Sequence, residues 1–475
     1  MEDKKVIVTK IWSDIFGEEN SDYDDNFFEL GGDSIMALKM SEQLKQKGYT
    51  ISLMEVFDDP TLGGVLDSVR PLSNAAGTSS LTEKQKRSYP ATIQQKWFFR
   101  RITRERDLWC EYAVISPKNA EGMSPGKVLE FLFEKKLLRN FNIIRGDNGL
   151  FFEMSEDTPI LVKTEAPLSH QAGENAAREN ISLENGKTCC MVYDNIGNMM
   201  IIIHHLFSDA VTLKNILSAI DKQDADGDFD NALYCEYAWE QYGKSENIKD
   251  DLSYMEESVK SYNSDETVMT SGEDCYDTLV DISKEWGVSV ESILIVQLYN
   301  AASFLPETVI EVERIGRDTM GKWDDTCGWI SFSAALDLSC TGTGKQCEMA
   351  ARIGKAVGSL TFEKDGLDGS EPEKALTWNY IGNIDISSDF DSFTVMDFGQ
   401  FSGKNTGRST PIYFTVYFKK GRLYCNVNYD SLIYTREQMN SFQKAFLTNV
   451  QQLSDNYNTK HTDELSSILE VMGGV

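Results

Sequence analysis

The 475-residue sequence predicts a small all-helical unit joined to a larger mixed α/β region. Within residues 1–71 the apolar periodicity is helical, in short stretches. A Ser-, Ala- and Gly-rich stretch with no apolar period follows, and strand and helix patterns alternate from residue 87 onward. With 41% hydrophobic and 11% aromatic residues, the chain can build true cores. Its length suits roughly two to four domain-sized units.

Val6 to Phe16 has helical period and opens the first unit. Ser34 to Gln46 is the next helix. Gly31 and Gly32 permit a tight turn before it, and Ile35, Met36, Ala37, Leu38 and Met40 give it a face to bury. Two short helices, around Leu53–Phe57 and Leu62–Val69, close the unit, and RPLSNAAGTSSLTEKQKRSYP reads as a linker. In the α/β region, MMIIIHHL (199–206) is a continuous apolar run, as in a buried strand that opens into a loop. DAVTLKNILSAI (209–220) is a helix with Asp209 as its cap. TVIEVER (308–314) is another strand, and PIYFTVYFKKGRLYCNVNYD (411–430) is a hairpin about a Lys-Lys-Gly-Arg turn. TREQMNSFQKAFLTNVQQL (435–453) is a long amphipathic helix with a Thr435/Gln438 capping box. Apolar content falls near 255–270, which divides the region in two. The expected domains are 1–71, a linker 72–86, a first lobe 87–260, a second lobe 261–457 and a tail 458–475.

A formal charge of −29 and a pI near 4.6 argue against nucleic acid or an anionic membrane as partner, since both require basic patches. No 18-residue apolar run occurs, and MEDKKVIVTKIW lacks the apolar core of a signal peptide, so a cytoplasmic protein is expected. Nine scattered cysteines without a CxxC pair, and four histidines, predict reduced thiols and no zinc site.

Ser34 stands behind a glycine pair at the start of a predicted helix. The unpaired amides and positive dipole end of a helix N-terminus favour a phosphodiester on that hydroxyl. An isolated Gly-x-Ser would read as an ordinary capping serine. The whole stretch DDNFFELGGDSIMALKM, however, resembles the thiolation (peptidyl carrier) domain of nonribosomal peptide synthetases at Asp25, Phe27, Phe28, Leu30, Gly31, Gly32, Asp33, Ser34 and Ile35. The resemblance implies a four-helix carrier with 4′-phosphopantetheine on Ser34 and Asp33 beside it.

His204 and His205 close the apolar run 199–206. Adjacent residues at a strand end point in opposite directions, so one imidazole faces the protein body and the other can face a cleft. Imidazole suits a general base at neutral pH. With Asp209, the stretch resembles the HHxxxDG signature of the condensation-domain superfamily, which implies a V-shaped pair of chloramphenicol-acetyltransferase-like lobes. In that resemblance His205 is the catalytic residue, and His204 and Asp209 orient and support it. Four further stretches, ATIQQKWFF (91–99), DAVTLKNIL (209–217), TCGWISFSAAL (326–336) and WNYIGNID (378–385), are similar to motifs of the epimerisation subfamily. Individually, Trp97, Trp329 and Trp378 would read as core residues.

Epimerisation removes the α-proton of a tethered aminoacyl group from one face and returns one to the other, so two acid/base groups should flank the carbon. EVERIGRDTM (311–320) occupies the place of the family's EGHGRE pattern, with Glu313, Gly316, Arg317 and Asp318. The resemblance makes Glu313 the partner of His205, Arg317 a supporting residue, and Asn379 and Tyr380 site-lining groups that polarise the thioester carbonyl. A salt-bridged strand-end glutamate and a core tyrosine are the alternatives. Arg314 and Ile315 replace the family's Gly-His, Asp318 replaces its Glu, and Ala210 and Leu213 alter the histidine motif. The Arg314 charge is expected to act on Glu313.

DELSSILEVMGGV (463–475) places Leu465, Ile468, Leu469 and Met472 on one helical face after the polar spacer SDNYNTKHT. It resembles a donor docking helix, with packing on its own domain as the alternative. The expected function is epimerisation, L to D, of an aminoacyl or peptidyl thioester on Ser34. The alternatives are peptide-bond condensation through the same His205, and a degenerate domain that only binds the carrier. The expected partners are a phosphopantetheinyl transferase, an adenylation domain in cis or trans, and a downstream condensation domain, with no diffusible cofactor or metal.

Overall fold

The computed structural model describes residues 4–17, 22–27, 30, 32, 36–37, 40–41, 43–44, 47–51, 56, 60–71, 81–82, 84–102, 104–119, 123–146, 149–222, 232–244, 263–302, 304–305, 309–315, 326–358, 360, 375–383, 390–401 and 410–473. Of the helix predicted over 34–46, the described residues 36, 37, 40, 41, 43 and 44 are helical. Most of the linker lies outside the described residues.

The N-terminal unit contains helices α1 (Lys4–Phe16) and α2 (Leu62–Ser68), with β1 (Tyr49–Thr50) paired antiparallel to β2 (Arg70–Pro71). The α1 periodicity buries Ile7, Val8, Ile11 and Trp12. They meet Phe27, Met40, Leu44, Ile51, Val56, Leu62 and Val65 in one core. Trp12, Phe16 and Phe27 interlock with ring centroids 5.0–5.6 Å apart. Thr61 caps α2 by accepting a hydrogen bond from Gly64 N.

The first half of the α/β region contains β3 (Ser88–Pro90), β4 (Cys110–Pro117), β5 (Phe141–Gly146), β6 (Gly149–Met154), β7 (Ile160–Lys163), β8 (Cys189–Tyr193) and β9 (Met199–His204). Its helices are α3 (Ile93–Arg101), α4 (Pro125–Glu134), α5 (His170–Asn180), α6 (Ala210–Lys222) and α7 (Ala232–Lys244). The second half contains β10 (Ser264–Thr270), β11 (Val309–Ile315), β12 (Ser331–Asp337), β13 (Thr377–Asn383), β14 (Phe393–Phe401), β15 (Ile412–Lys419) and β16 (Arg422–Asp430). Helices α8 (Tyr276–Trp286), α9 (Val290–Ala301), α10 (Gln346–Gly358) and α11 (Arg436–Gly473) pack with them.

Two mixed sheets organise these halves into two lobes. One has the order β14-β4-β9-β8-β7 and the other β10-β16-β15-β13-β11-β12; a smaller sheet β3-β6-β5 sits with the first. The run MMIIIH is apolar throughout because its sheet is covered on both faces. Met199, Ile201 and Ile203 join a core with Leu213, Ile216 and Leu217 of α6, while Met200 and Ile202 join another with Ala176 and Ala177 of α5. Each such side chain contributes about 2 kcal/mol by leaving water. In the second lobe, α9 is buried along nearly its whole length between the sheet and helices α10 and α11.

One strand crosses between the halves: β14 pairs antiparallel with β4, from Phe393 opposite Pro117 to Phe401 opposite Cys110. Helix α11 opens with the predicted capping box, in which Thr435 N donates to Gln438 Oε1 and Gln438 N to Thr435 Oγ1. It then runs unbroken through the segment read as a spacer, because that segment's polar residues serve a helix surface. Asn458 donates to Thr278 on α8, and Lys460 and His461 lie 3.6 and 3.7 Å from Glu285 at the end of α8. The side chains beyond His461, which include the amphipathic face of 463–475, lie outside the described residues.

All nine cysteines are free thiols. Among the described residues no helix is long and apolar enough to cross a membrane, and no His/Cys/Asp/Glu cluster has the form of a metal site.

Candidate active site

β9 delivers the histidine pair at its C-terminal end, where a 3₁₀ turn (His205–Phe207) takes over. His204 is fully buried. Its Nε2–H donates to Arg106 O at 2.7 Å, and its Nδ1 accepts from Leu206 N at 3.1 Å. Burial pushes its pKa down to about 3, the nearby His205 adding to the effect against the opposing bond to Arg106 O. Both nitrogens are engaged and the ring stays neutral, so His204 holds the strand end in place.

His205 points the other way. Its backbone N donates to Trp109 O at 2.8 Å, and its ring lies between Trp109 (centroids 4.4 Å apart) and Trp329 (5.0 Å). Nδ1 is 2.7 Å from Ser208 O. A carbonyl oxygen only accepts, so Nδ1 carries the hydrogen and the neutral ring keeps its lone pair on Nε2, where a proton can be received. Nε2 makes no hydrogen bond among the described residues. Glu111 of β4, with Oε1 3.8 Å from Nδ1, was not recognised in the sequence. Its signal is a carboxylate within the otherwise apolar strand CEYAVISP.

Asp209 performs two structural tasks. Its Oδ1 accepts from Thr212 N and Thr212 Oγ1, both at 2.9 Å, which caps α6. Its Oδ2 accepts from Ile330 N at 3.1 Å. Thr212 Oγ1 also accepts from Gly328 N at 2.9 Å and lies 3.1 Å from Gly328 O, which shares the hydroxyl's one hydrogen with Asp209. These bonds fix the 328–330 segment that brings Trp329 against His205. Gly328 has φ +152°, and a Cβ there would meet the Tyr234 ring at 2.2 Å, so only glycine fits the position. Ala210 is exposed at the first position of α6, and Leu213 is fully buried in the first-lobe core.

Glu313 stands on β11 in the second lobe. Tyr413 of β15 donates its hydroxyl to Glu313 Oε1 at 2.7 Å, and Asn379 of β13 donates Nδ2 to the same hydroxyl oxygen at 3.1 Å. The strand order β15-β13-β11 brings these three together. Tyr380, the next residue along β13, packs on the second-lobe core with its ring 6.5 Å from Phe418. Arg314 turns away from Glu313 and pairs with Glu291 of α9 at 2.8 Å, where Trp378 Nε1 also donates, at 3.3 Å. The expected action of the Arg314 charge on Glu313 is therefore replaced by an ion pair with α9. Among the described residues, the polar and ring contacts of His205 are with Trp109, Glu111, Ser208 and Trp329, and Glu313 is not one of them. Arg317, Asp33 and Ser34 lie outside the described residues.

In the N-terminal unit, Gly32 N donates to Phe27 O at 2.8 Å, and a Cβ on Gly32 would fall 2.2 Å from the Phe27 ring. Gly32 is thus anchored on the buried Phe27.

Residues 7–69 match the phosphopantetheine attachment site family, which implies 4′-phosphopantetheine attached covalently to a serine. Over an alignment of 525 residues the chain is 21% identical to bacitracin synthase 2 of Bacillus licheniformis, covering 96% of this chain and 20% of that one. It is likewise 21% identical to bacitracin synthase 3 of the same organism, over 92% of this chain and 8% of that one. The chain thus spans a fifth or less of the length of these relatives. The fold resembles the epimerization domain from the third module of tyrocidine synthetase B, with TM-score 0.57 and 15% identity over 78% of this chain and 98% of that one. It also resembles the first condensation domain of the calcium-dependent antibiotic synthetase, with TM-score 0.55 and 14% identity over 79% and 97%. The chain therefore carries a phosphopantetheine attachment domain at its N-terminus, followed by a two-lobed domain with the fold of the condensation and epimerisation domains of nonribosomal peptide synthetases.

Proposed function

We propose that this chain epimerises, from L to D, the Cα of an aminoacyl or peptidyl group held as a thioester on Ser34. The observation that carries the reading is a second acid/base group in addition to the histidine: Glu313 on the second-lobe sheet, held at Oε1 by Tyr413, which Asn379 backs in turn. Condensation calls on one such group; inversion at carbon calls on two.

The phosphopantetheine thiol supplies a thioester, which makes the α-proton acidic. His205 Nε2 takes that proton while Nδ1–H remains on Ser208 O, so the ring becomes a cation without turning. Glu313 in its protonated form gives a proton to the opposite face, and exchange with water returns both groups to their starting states. Asn379 acts on Glu313 through Tyr413, and Tyr380 supports the sheet that carries them. Tethering supplies effective concentration, so few contacts to the amino acid are required. A phosphopantetheinyl transferase, an adenylation domain and a downstream condensation domain are the partners this reading requires, in the cytoplasm.

The test is to load the holo chain with an L-aminoacyl group and follow Cα deuterium exchange and chirality, with Ser34→Ala as the loading control by intact mass. His205→Ala and Glu313→Gln are expected to abolish exchange or slow it severely. A loaded wild type that exchanges no deuterium yet forms a peptide with a second loaded carrier would establish condensation instead, a reading favoured by the similar TM-score of the condensation domain. Loading with neither outcome would leave a carrier-binding role.

A further inference from the structure

We propose that Glu111 is a positioning residue for His205, supplying the negative charge that accompanies the imidazolium while leaving the substrate untouched. This deepens the reading of His205 as the base and rests on it.

Glu111 Oε2 accepts from Ser208 Oγ at 2.6 Å, and its Oε1 stands 3.8 Å from His205 Nδ1. The side chains of His205 and Glu111 are only 14% and 12% exposed. Ser208 serves both groups: its hydroxyl fixes the carboxylate and its carbonyl fixes the ring, so one residue sets their separation. The carbonyl already decides the tautomer, since Nδ1–H is committed to Ser208 O. What the carboxylate adds is charge. When Nε2 receives a proton the ring becomes a cation between two indoles, where water cannot solvate it well, and an anion under 4 Å away favours that form. Among the described residues His204 also acts on the ring, and burial keeps it neutral. A desolvated carboxylate is costly unless it faces a compensating charge, and a histidine that becomes charged during the reaction is such a partner.

The test follows the His205 ring by NMR across pH in the wild type and in Glu111→Gln, which keeps the shape and the Ser208 bond but removes the charge. Four histidines make the assignment tractable. The His205 ring signal is expected to change at lower pH in the Gln variant than in the wild type, because the cation loses its partner, and to recover in part in Glu111→Asp. In the loaded-carrier exchange assay, Glu111→Gln is expected to lose roughly tenfold in rate, with its acid limb displaced in the same direction and its melting temperature near wild type. A titration unmoved by Glu111→Gln overturns the proposal. His205→Ala with undiminished exchange would instead overturn His205 as the base, and the ring titration would still report whether Glu111 acts on it.

Discussion

Lowering the pH from 7 to 5 should destabilise the His204 strand end, and replacing His204 with Gln should remove that sensitivity. His204 is neutral in the fold with a pKa near 3, whereas an unfolded histidine titrates near 6.5. Above pH 6.5 both states are neutral and nothing is lost. Below it the unfolded chain takes up a proton that the fold refuses, so stability falls at up to about 1.4 kcal/mol per pH unit toward pH 3. Between pH 7 and pH 5 the loss is about 2 kcal/mol, roughly a thirtyfold rise in opening. The readout is hydrogen exchange of the Leu206 amide, which donates to His204 Nδ1. A Gln amide can replace Nε2–H on Arg106 O and does not titrate, so subtracting the variant's pH dependence cancels every other ionising group. Parallel pH curves for wild type and His204→Gln would refute the reasoning, because the buried ring would then carry no proton linkage.

Asp209→Ala removes the cap of α6 and strands Ile330 N, and should cost about 3 kcal/mol in thermal or denaturant unfolding; a variant within roughly 0.5 kcal/mol of wild type would contradict this role. Gly328→Ala forces a Cβ into the Tyr234 ring at a backbone angle that side chains avoid. It should cost about 2 kcal/mol or more and alter the fluorescence of Trp329. Tyr413→Phe removes the donor from Glu313 Oε1 and leaves Asn379 Nδ2 without its acceptor. If His205 and Glu313 serve opposite faces of the carbon, Cα exchange from one enantiomer should change more than from the other; equal changes would count against that division.

What was legible in the sequence follows from how local its causes are. The run MMIIIH read as a buried strand because both its faces are covered, and the divergence of His204 from His205 followed from strand geometry alone. The Thr435/Gln438 box marked the start of α11, but the polar stretch after residue 453 gave no sign that the helix continues, since its support comes from Thr278 and Glu285 on α8. The placement of β14 was equally hidden: FTVMDFGQF contains no record of a partner strand some 280 residues earlier, and only the sheet shows it beside β4. Glu111 and Tyr413 were missed for the same reason. Each lies in a strand without a motif of its own, and each matters because pairing brings it to His205 or Glu313.

Of the departures from the family motifs, those at 210, 213, 314, 315 and 318, the first three have positions that argue against a threat to the chemistry, while the Ile315 side chain and Asp318 lie outside the described residues. Ala210 is exposed at the first turn of α6, where a glycine has no conformational task that alanine cannot perform within a helix. Leu213 faces the first-lobe core and replaces one apolar packing group with another. Arg314 has its charge met by Glu291, on the side of β11 away from Tyr413 and Asn379. None of the three touches His205 or the hydroxyl that holds Glu313. The residues that hold the side chains around His205 are Ser208, which contacts both the His205 ring and the Glu111 carboxylate, and Asp209 with Thr212, which hold Trp329 against the ring. The His204–Asp209 stretch thus serves as a joint to the 328–330 segment as well as the seat of the His205 ring, and its aspartate belongs to the joint.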